Sequence, residues 1–261
     1  MGLANKENSS MTGGSAEHLL SAPEVIWQMG FFPVTNTMFT SFFLTIIISG
    51  SVIFASKKIS LVPGRFQAFF EIFFDYIYYL TKSMAHAKAP VFFPWIMTFV
   101  LFILMANLSG LLPGNSSIGI YKSVAGKEVF IPFFRSVNSD LNATLALAIV
   151  SVSITHYFAI YFIGIRAYLS RWISFKMFGV SLFVGLLELV SEFTKIISLS
   201  FRLYGNILAG KILLKTAKSF FPFILPLPFY FMELMVSVVQ AAVFMMLTLV
   251  FMVILSKKHD D

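Results

Sequence analysis

Long apolar stretches separated by short polar breaks dominate the chain from residue 38 onward. Five stand out, at approximately 38–55, 91–112, 141–165, 178–214 and 220–255. A helix crosses a hydrocarbon core of ~30 Å with roughly 17–25 mostly apolar residues, and each stretch reaches that length. Inside lipid the backbone must satisfy its own hydrogen bonds, which favours helices. The pattern therefore predicts an all-α membrane protein with about five transmembrane helices.

A different pattern lies between the first and second stretches, over residues 66–84. Its polar positions recur at steps of three and four residues, which places them on one side of a helix. They are Gln67, Glu71, Asp75, Tyr78 and Lys82. The opposite side is Phe, Ile, Tyr and Leu, so we expect an amphipathic helix in the membrane interface.

The last two stretches are too long for upright crossings. A single helix from residue 178 to 219 would extend about 60 Å at 1.5 Å per residue. A proline-rich link at 221–228 separates this stretch from the last one. These features predict a long, tilted helical hairpin at the end of the chain.

Composition supports this interpretation and excludes other classes. Of the 261 residues, 58% are apolar and 12% are charged, against about 25% charged in soluble domains. The chain has no cysteine, which excludes thiolate chemistry. In a membrane protein the net charge of +7 reflects basic inner loops rather than a nucleic-acid partner. The short basic loop at 166–176 favours an outer amino terminus, with a polar outer segment at 1–35 and a membrane domain at 36–261.

Charged side chains inside the fourth stretch need an explanation, because each costs from ~3 to over 10 kcal/mol at the bilayer centre. Their spacing places them on one side of a helix: Glu188, Glu192, Lys195, Arg202 and Asn206. A column of small residues runs beside them, at Ser191, Ser198 and Gly205. Arg202 lies ~15 Å along the axis from the nearer acid. Its counter-charge must come from elsewhere in the chain or another subunit, unless it caps a helix end or snorkels.

The fifth stretch contains Glu233, Ser237 and Gln240 on one side of a helix. An intramembrane carboxyl is typical of a proton or ion site, although a structural hydrogen bond is an alternative. Taken singly, four polar residues elsewhere favour helix caps or interhelical hydrogen bonds: Asn107, Asp140, Asn142 and His156. Snorkelling is the favoured interpretation of the lysines at 211, 215 and 218.

The run Ser198-Leu-Ser-Phe-Arg-Leu-Tyr-Gly-Asn-Ile-Leu-Ala-Gly210 resembles the Arg-Leu-Phe-Gly-Asn-x-x-Ala-Gly signature of subunit a of F-type ATP synthases. Other segments resemble that family in the same order. They are Val62 to Gln67 with Glu71, Met105 to Pro113, Asp140 to Leu145, Glu188 to Lys195, and Glu233 to Thr248. The resemblance covers nearly the whole chain after residue 30.

The resemblance implies a proton-translocating stator subunit that is not catalytic alone. Arg202 would face the essential carboxylate of each passing c subunit and separate two offset half-channels. The outer one would use Glu233, with Asn107, Asn142 and Gln240 as polar lining. The inner one would use Glu188, with Ser191, Glu192 and Lys195, and both Asn206 and Gln240 would support Arg202. Lys211 stands where the family usually has Glu or His.

The same resemblance implies partners and a location. The partners would be a ring of c subunits, peripheral-stalk b subunits, other membrane-sector subunits and the lipid bilayer. The location would be an energy-transducing inner membrane, bacterial or mitochondrial. It implies no cofactor and no metal.

Two other function classes fit the intramembrane charges less well. A stand-alone ion-coupled transporter usually has repeated halves, and the sequence shows no internal repeat. An intramembrane hydrolase needs a nucleophile and a base, and no motif for either is present. Co-purification with a ring of small hairpin proteins would discriminate the stator subunit from both.

Overall fold

The computed structural model describes residues 24–29, 32–57, 59–60, 62–112, 118–124, 127–172, 178–220 and 224–257. Seven α-helices lie within these ranges. They are α1 (Asn36–Lys57), α2 (Arg65–Ala85), α3 (Ala89–Leu111), α4 (Leu141–Ile163), α5 (Ile165–Trp172), α6 (Phe178–Phe220) and α7 (Pro226–Leu255). Most of the expected 1–35 segment, residues 1–23, lies outside the described residues.

Five helical segments in the described part of the chain are long and apolar enough to cross a membrane, which confirms the predicted number. One of them, Arg65–Leu111, includes both α2 and α3. The stretches predicted near 178–214 and 220–255 correspond to α6, which ends at Phe220, and α7, which begins at Pro226 within the predicted link. Pro226 and Pro228 belong to the first turn of α7, where a missing N–H costs no hydrogen bond.

Two short β-hairpins and one short helix were not predicted from the hydrophobic pattern. Strands β1 (Val25–Met29) and β2 (Phe32–Thr35) pair antiparallel, as do β3 (Gly119–Val124) and β4 (Lys127–Pro132). Helix α5 occupies part of the basic loop at 166–176. Gly164 separates it from α4 with a φ of 87°, a conformation that glycine adopts without steric cost.

Helices α3 and α7 form the centre of the bundle. One buried cluster joins Phe92 and Ile96 of α3 to Leu249 and Met252 of α7, and α2 and α4 pack around it. A second cluster joins α3 and α7 to α4 and α6, around Leu203. Buried hydroxyl groups also connect the helices, since Ser151 Oγ on α4 lies 2.9 Å from Thr248 Oγ1 on α7. Such pairs satisfy polar groups that lipid cannot.

The predicted hairpin of the last two helices is present as an antiparallel pair. Contacts between α6 and α7 move in opposite directions along the two helices, from Lys195 over the Phe251 ring to Lys218 over the Tyr230 ring. Helix α6 has 43 residues, which corresponds to about 64 Å at 1.5 Å per residue. The hairpin therefore positions polar groups at well-separated depths.

Helix α2 confirms the predicted amphipathic pattern at 66–84. Its buried residues are Ile77, Thr81 and Ala85, and its apolar side packs on the α3–α7 cluster. On the polar side, Gln67 Nε2 donates to Glu71 Oε1 at 2.7 Å. The interfacial position stays a prediction.

Candidate functional site

Arg202 lies on the side of α6 that is exposed rather than packed in the bundle. Its Nη2 atom donates to Ser198 Oγ at 3.5 Å, one turn earlier on the same helix. The guanidinium borders an open cavity of about 430 Å³, which we call the arginine groove. The groove is lined by Leu187, Val190, Ser191, Thr194, Lys195, Ser198, Leu199, Arg202, Leu247 and Phe251.

Several small side chains lie along α6 on the same side as Arg202. They are Ser191, Thr194, Ser198, Gly205 and Ala209, all exposed. A Cβ added at Gly205 would have no atom within 4 Å. The column of Ser191, Ser198 and Gly205 is therefore an outward surface on which another backbone can approach closely.

Glu233 lies on α7 and is buried, with a relative exposure of 6%. It packs directly on the backbone of Gly210 in α6, where an added Cβ would lie 2.8 Å from its Cδ and Oε1 atoms. Among the described residues, Glu233 Oε2 has no hydrogen-bond partner. Lys211 and Lys218 are the cations whose charges act on this carboxyl.

Buried polar side chains extend from Glu233 along the same side of α7. Ser237 and Gln240 are both buried, and their spacing predicted that they share this side of the helix with Glu233. Asn206 Nδ2 donates to Gln240 Oε1 at 2.6 Å, so these two predicted residues are together. Asn107 Nδ2 donates to the Ser237 carbonyl at 3.3 Å, which is the interhelical hydrogen bond expected of it.

One predicted residue, Asn142, takes a different position from the rest of this group. Asn142 is exposed in the first turn of α4, where its N–H donates to Oδ1 of the cap residue Asp140 at 3.0 Å. Asn138, which the sequence analysis missed, donates instead to Asn107 Oδ1 at 2.6 Å. Asn138 lies in a three-residue 3₁₀-helix, Val137–Ser139, which is too short for a periodic pattern to indicate it.

At the other end of α6, Glu192 is buried. Lys195 Nζ donates to its Oε1 atom at 2.7 Å. Its Oε2 atom lies 3.4 Å from His156 Nε2 on α4. Ser191 and Lys195 line the arginine groove, whereas Glu188 is half-buried one turn before Glu192. The predicted inner residues therefore lie together.

The predicted charged side of α6 is divided among three environments. Glu192 faces α4, Asn206 bonds to α7, and Arg202 is exposed. Residues ten apart on a helix differ by about 80° around its axis. Glu192 and Arg202 therefore lie far enough apart around α6 to contact different neighbours. The expectation that the charged residues share one surface was too simple.

Polar contacts hold the start of α1 against the start of α4 and the segment that precedes it. Thr37 Oγ1 donates to Asp140 Oδ2 at 2.9 Å, and the Arg135 N–H donates to Thr40 Oγ1 at 3.0 Å. Burial raises the pKa of Glu24, which precedes β1, and the nearby Arg135 guanidinium opposes that shift. In the described part of the chain, no cluster of three or more metal-ligating side chains occurs.

Comparison with known proteins gives one consistent result. The family model for the ATP synthase A chain matches residues 38–253. ATP synthase subunit a of Moorella thermoacetica is 25% identical over 229 residues, which are 88% of this chain and 94% of that protein. ATP synthase subunit a 2 of Syntrophotalea carbinolica is 30% identical over 238 residues, 90% of each protein. The chain therefore belongs to the family of F-type ATP synthase subunit a.

Proposed function

We propose that Arg202 is the fixed charge of a rotary proton path and that it separates two half-channels in this subunit. The observation that carries the proposal is the position of the guanidinium. It lies on an exposed membrane surface among small side chains, and its hydrogen bond to Ser198 is to a neutral group. An intramembrane charge in such a place needs an opposite charge from a partner.

The partner with the required chemistry is a ring of c subunits, each presenting a carboxylate to Arg202. A guanidinium in low dielectric keeps a nearby carboxylate ionised by Coulomb attraction. Arginine holds its own proton throughout, which lysine would not ensure. The small residues of α6 would let the helices of the ring pass close by.

The outer half-channel would use Glu233 as its proton-binding group. The buried carboxyl oxygen without a hydrogen-bond partner supports this role, since a structural carboxyl is normally satisfied. Asn107 and Gln240 extend the polar lining beside it, and Asn142 would lie towards the outer surface. Lys211 would tune the charge of Glu233 rather than relay protons.

The inner half-channel would use Glu188, Ser191, Glu192 and Lys195. Ser191 and Lys195 line the arginine groove, which gives water a route towards Arg202. Asn206 and Gln240 bond to each other, and this pair would brace the hairpin beside Arg202. With the amino terminus outside, the basic loop at 166–176 lies on the ATP-synthesising side of an energy-transducing inner membrane.

The remaining partners follow from the assembly that this family forms. Peripheral-stalk b subunits and other membrane-sector subunits would hold the chain still while the ring turns. The subunit would supply proton conduction and no ATP chemistry of its own.

The test is ATP-driven proton pumping in vesicles containing the assembled complex. Arg202→Ala should reduce coupled pumping to background, and Arg202→Lys should restore little of it because the fork geometry and the fixed charge are lost. Lys215→Ala removes an exposed cation from the same helix and serves as the matched control. Full coupled pumping by Arg202→Ala would overturn the proposal.

A further inference from the structure

A chain of polar contacts crosses three helices at the inner end of the bundle. Tyr168 Oη on α5 lies 2.9 Å from His156 Nδ1 on α4. His156 Nε2 lies 3.4 Å from Glu192 Oε2 on α6. Lys195 Nζ donates to the other oxygen of Glu192 at 2.7 Å. The contacts join the arginine groove, which Lys195 lines, to the basic helix α5.

Solvent exposure differs between the Glu192 and His156 side chains of this chain of contacts. The Glu192 side chain is 8% exposed, and that of His156 is 23% exposed. Glu192 therefore has restricted access to water, whereas the imidazole reaches the surface of the subunit. Imidazole is also the side chain whose ordinary pKa is nearest to neutrality, which suits a group that gains and loses protons.

We propose that His156 exchanges protons between Glu192 and the inner aqueous phase, and that Tyr168 positions its ring. The inference rests on the proposed proton path and adds its inner exit. His156 would be a proton-transfer residue that the resemblance to the family did not indicate.

The proposed transfer moves one proton, and a single nitrogen atom of His156, Nε2, accepts and releases it. The His156 Nδ1–H donates to Tyr168 Oη throughout, which keeps the tautomer with Nε2 unprotonated. A proton on Glu192 breaks its O–H bond and forms an N–H bond at Nε2. The resulting imidazolium then loses that proton from Nε2 to inner water. During ATP hydrolysis the same steps run in reverse, so water protonates Nε2 and the imidazolium protonates Glu192.

The charged and titratable groups that face the imidazole support this exchange. Glu192 stabilises the imidazolium by ion pairing, whereas Lys195 on the same helix opposes it through its positive charge. Tyr168 is neutral at ordinary pH and contributes orientation. An imidazolium held by Glu192 alone would release its proton slowly, and Lys195 weakens that hold.

The experiment compares rates of ATP hydrolysis by the assembled complex in vesicles made permeable to protons with an uncoupler. His156→Gln keeps a neutral polar side chain, but its amide cannot accept and release a proton as the imidazole can. Its rate should fall roughly tenfold to hundredfold, at or below the low end of what a positioned acid–base group contributes. His86→Asn, which alters an exposed histidine, is the matched control and should retain the parental rate.

Chemical rescue separates proton exchange from a structural role. His156→Ala leaves space for a small base, so added imidazole should raise its rate several-fold but leave the His86→Asn rate unchanged. The uncoupler ensures that the base cannot act by dissipating a gradient. Tyr168→Phe keeps the aromatic ring but cannot accept a hydrogen bond from His156 Nδ1–H. Its rate should lie between that of the parent complex and that of His156→Gln.

Either of two results would overturn the inference about His156 without overturning the proposed function. One is a His156→Gln rate equal to that of His86→Asn. The other is a slow His156→Ala complex that imidazole does not accelerate, because a purely structural histidine would behave in that way. In either case, loss of coupled pumping by Arg202→Ala in vesicles without the uncoupler would leave the proposed function intact.

Discussion

Two ionisable groups, Arg202 on the exposed surface of α6 and Glu233 of α7 packed against α6, have opposite environments. Arg202 is exposed among small residues. Glu233 is buried against Gly210, and Lys211 and Lys218 act on its charge. The carboxyl therefore has counter-charges within its own chain. The contact of the guanidinium within the described part of the chain is with the neutral Ser198 hydroxyl, and we propose that its counter-charge comes from a partner.

The same contrast holds for the glycines beside the two groups. Gly205, near Arg202, has open space where a side chain would begin, and Gly210 has the Glu233 carboxyl there. One glycine keeps an external surface flat, and the other lets two helices of the same chain approach. Small residues in one helix can thus serve docking and internal packing at different positions.

The largest effect should come from removing the acid at the buried position. Glu233→Gln keeps the shape of the side chain but cannot ionise, so proton transfer through the outer path should fall about 10²-fold, as expected for loss of an acid–base group. Passive proton conductance of the assembled membrane sector measures this. Glu71→Gln, an exposed acid on α2, is the control. Unchanged conductance would exclude Glu233 as the relay and leave it a structural residue.

A smaller effect should follow from filling the space at Gly210. In Gly210→Ala, the new Cβ would lie 2.8 Å from Glu233 Cδ, so the carboxyl must move at a cost of about 1 kcal/mol. Thermal denaturation of the purified complex should detect the loss of stability, and proton conductance should detect the displaced carboxyl. Gly205→Ala has no such clash within the chain. If both variants were equally stable, the close packing of Glu233 on Gly210 would be contradicted.

The smallest effect concerns the β1–β2 hairpin, away from both sites. Because burial raises the pKa of Glu24, its neutral form is favoured where the β1–β2 hairpin docks. Docking should therefore be strongest below the ordinary carboxyl pKa and weaken as pH rises through the raised value. Glu24→Gln should abolish that dependence. Hydrogen exchange of residues 25–35 between pH 4 and 7 measures it, and an unchanged profile in the variant would exclude Glu24 as its source.

Hydrophobic periodicity predicted the helices because lipid imposes a minimum length and a polarity on every crossing. It also predicted that Glu233, Ser237 and Gln240 share one side of a helix, which follows from their spacing. The hairpins β1–β2 and β3–β4 escaped prediction, since they lie outside the apolar stretches and depend on local pairing. Helix α5 escaped for a related reason, as it is short and basic.

Within the site, prediction succeeded for groups that share a helix and for the pair Asn206 and Gln240, but it missed the partners of Glu192 on other helices. The sequence indicated Glu192 and Lys195, which are one turn apart and bond to each other. It did not indicate that His156 and Tyr168 continue the same contacts. A lone histidine in an apolar stretch has no spacing that names its neighbour.

By itself, the sequence determined the membrane class, the number of crossings, the family and the residue types available for proton transfer. These properties depend on composition, local periodicity and short motifs, which are features of contiguous segments of the chain. The tertiary structure decided which groups meet. The contact of Glu233 with Gly210, the bond of Asn206 to Gln240 and the chain from Tyr168 to Glu192 all require specific packing between helices. That packing depends on side-chain shape across distant segments, which no single segment specifies.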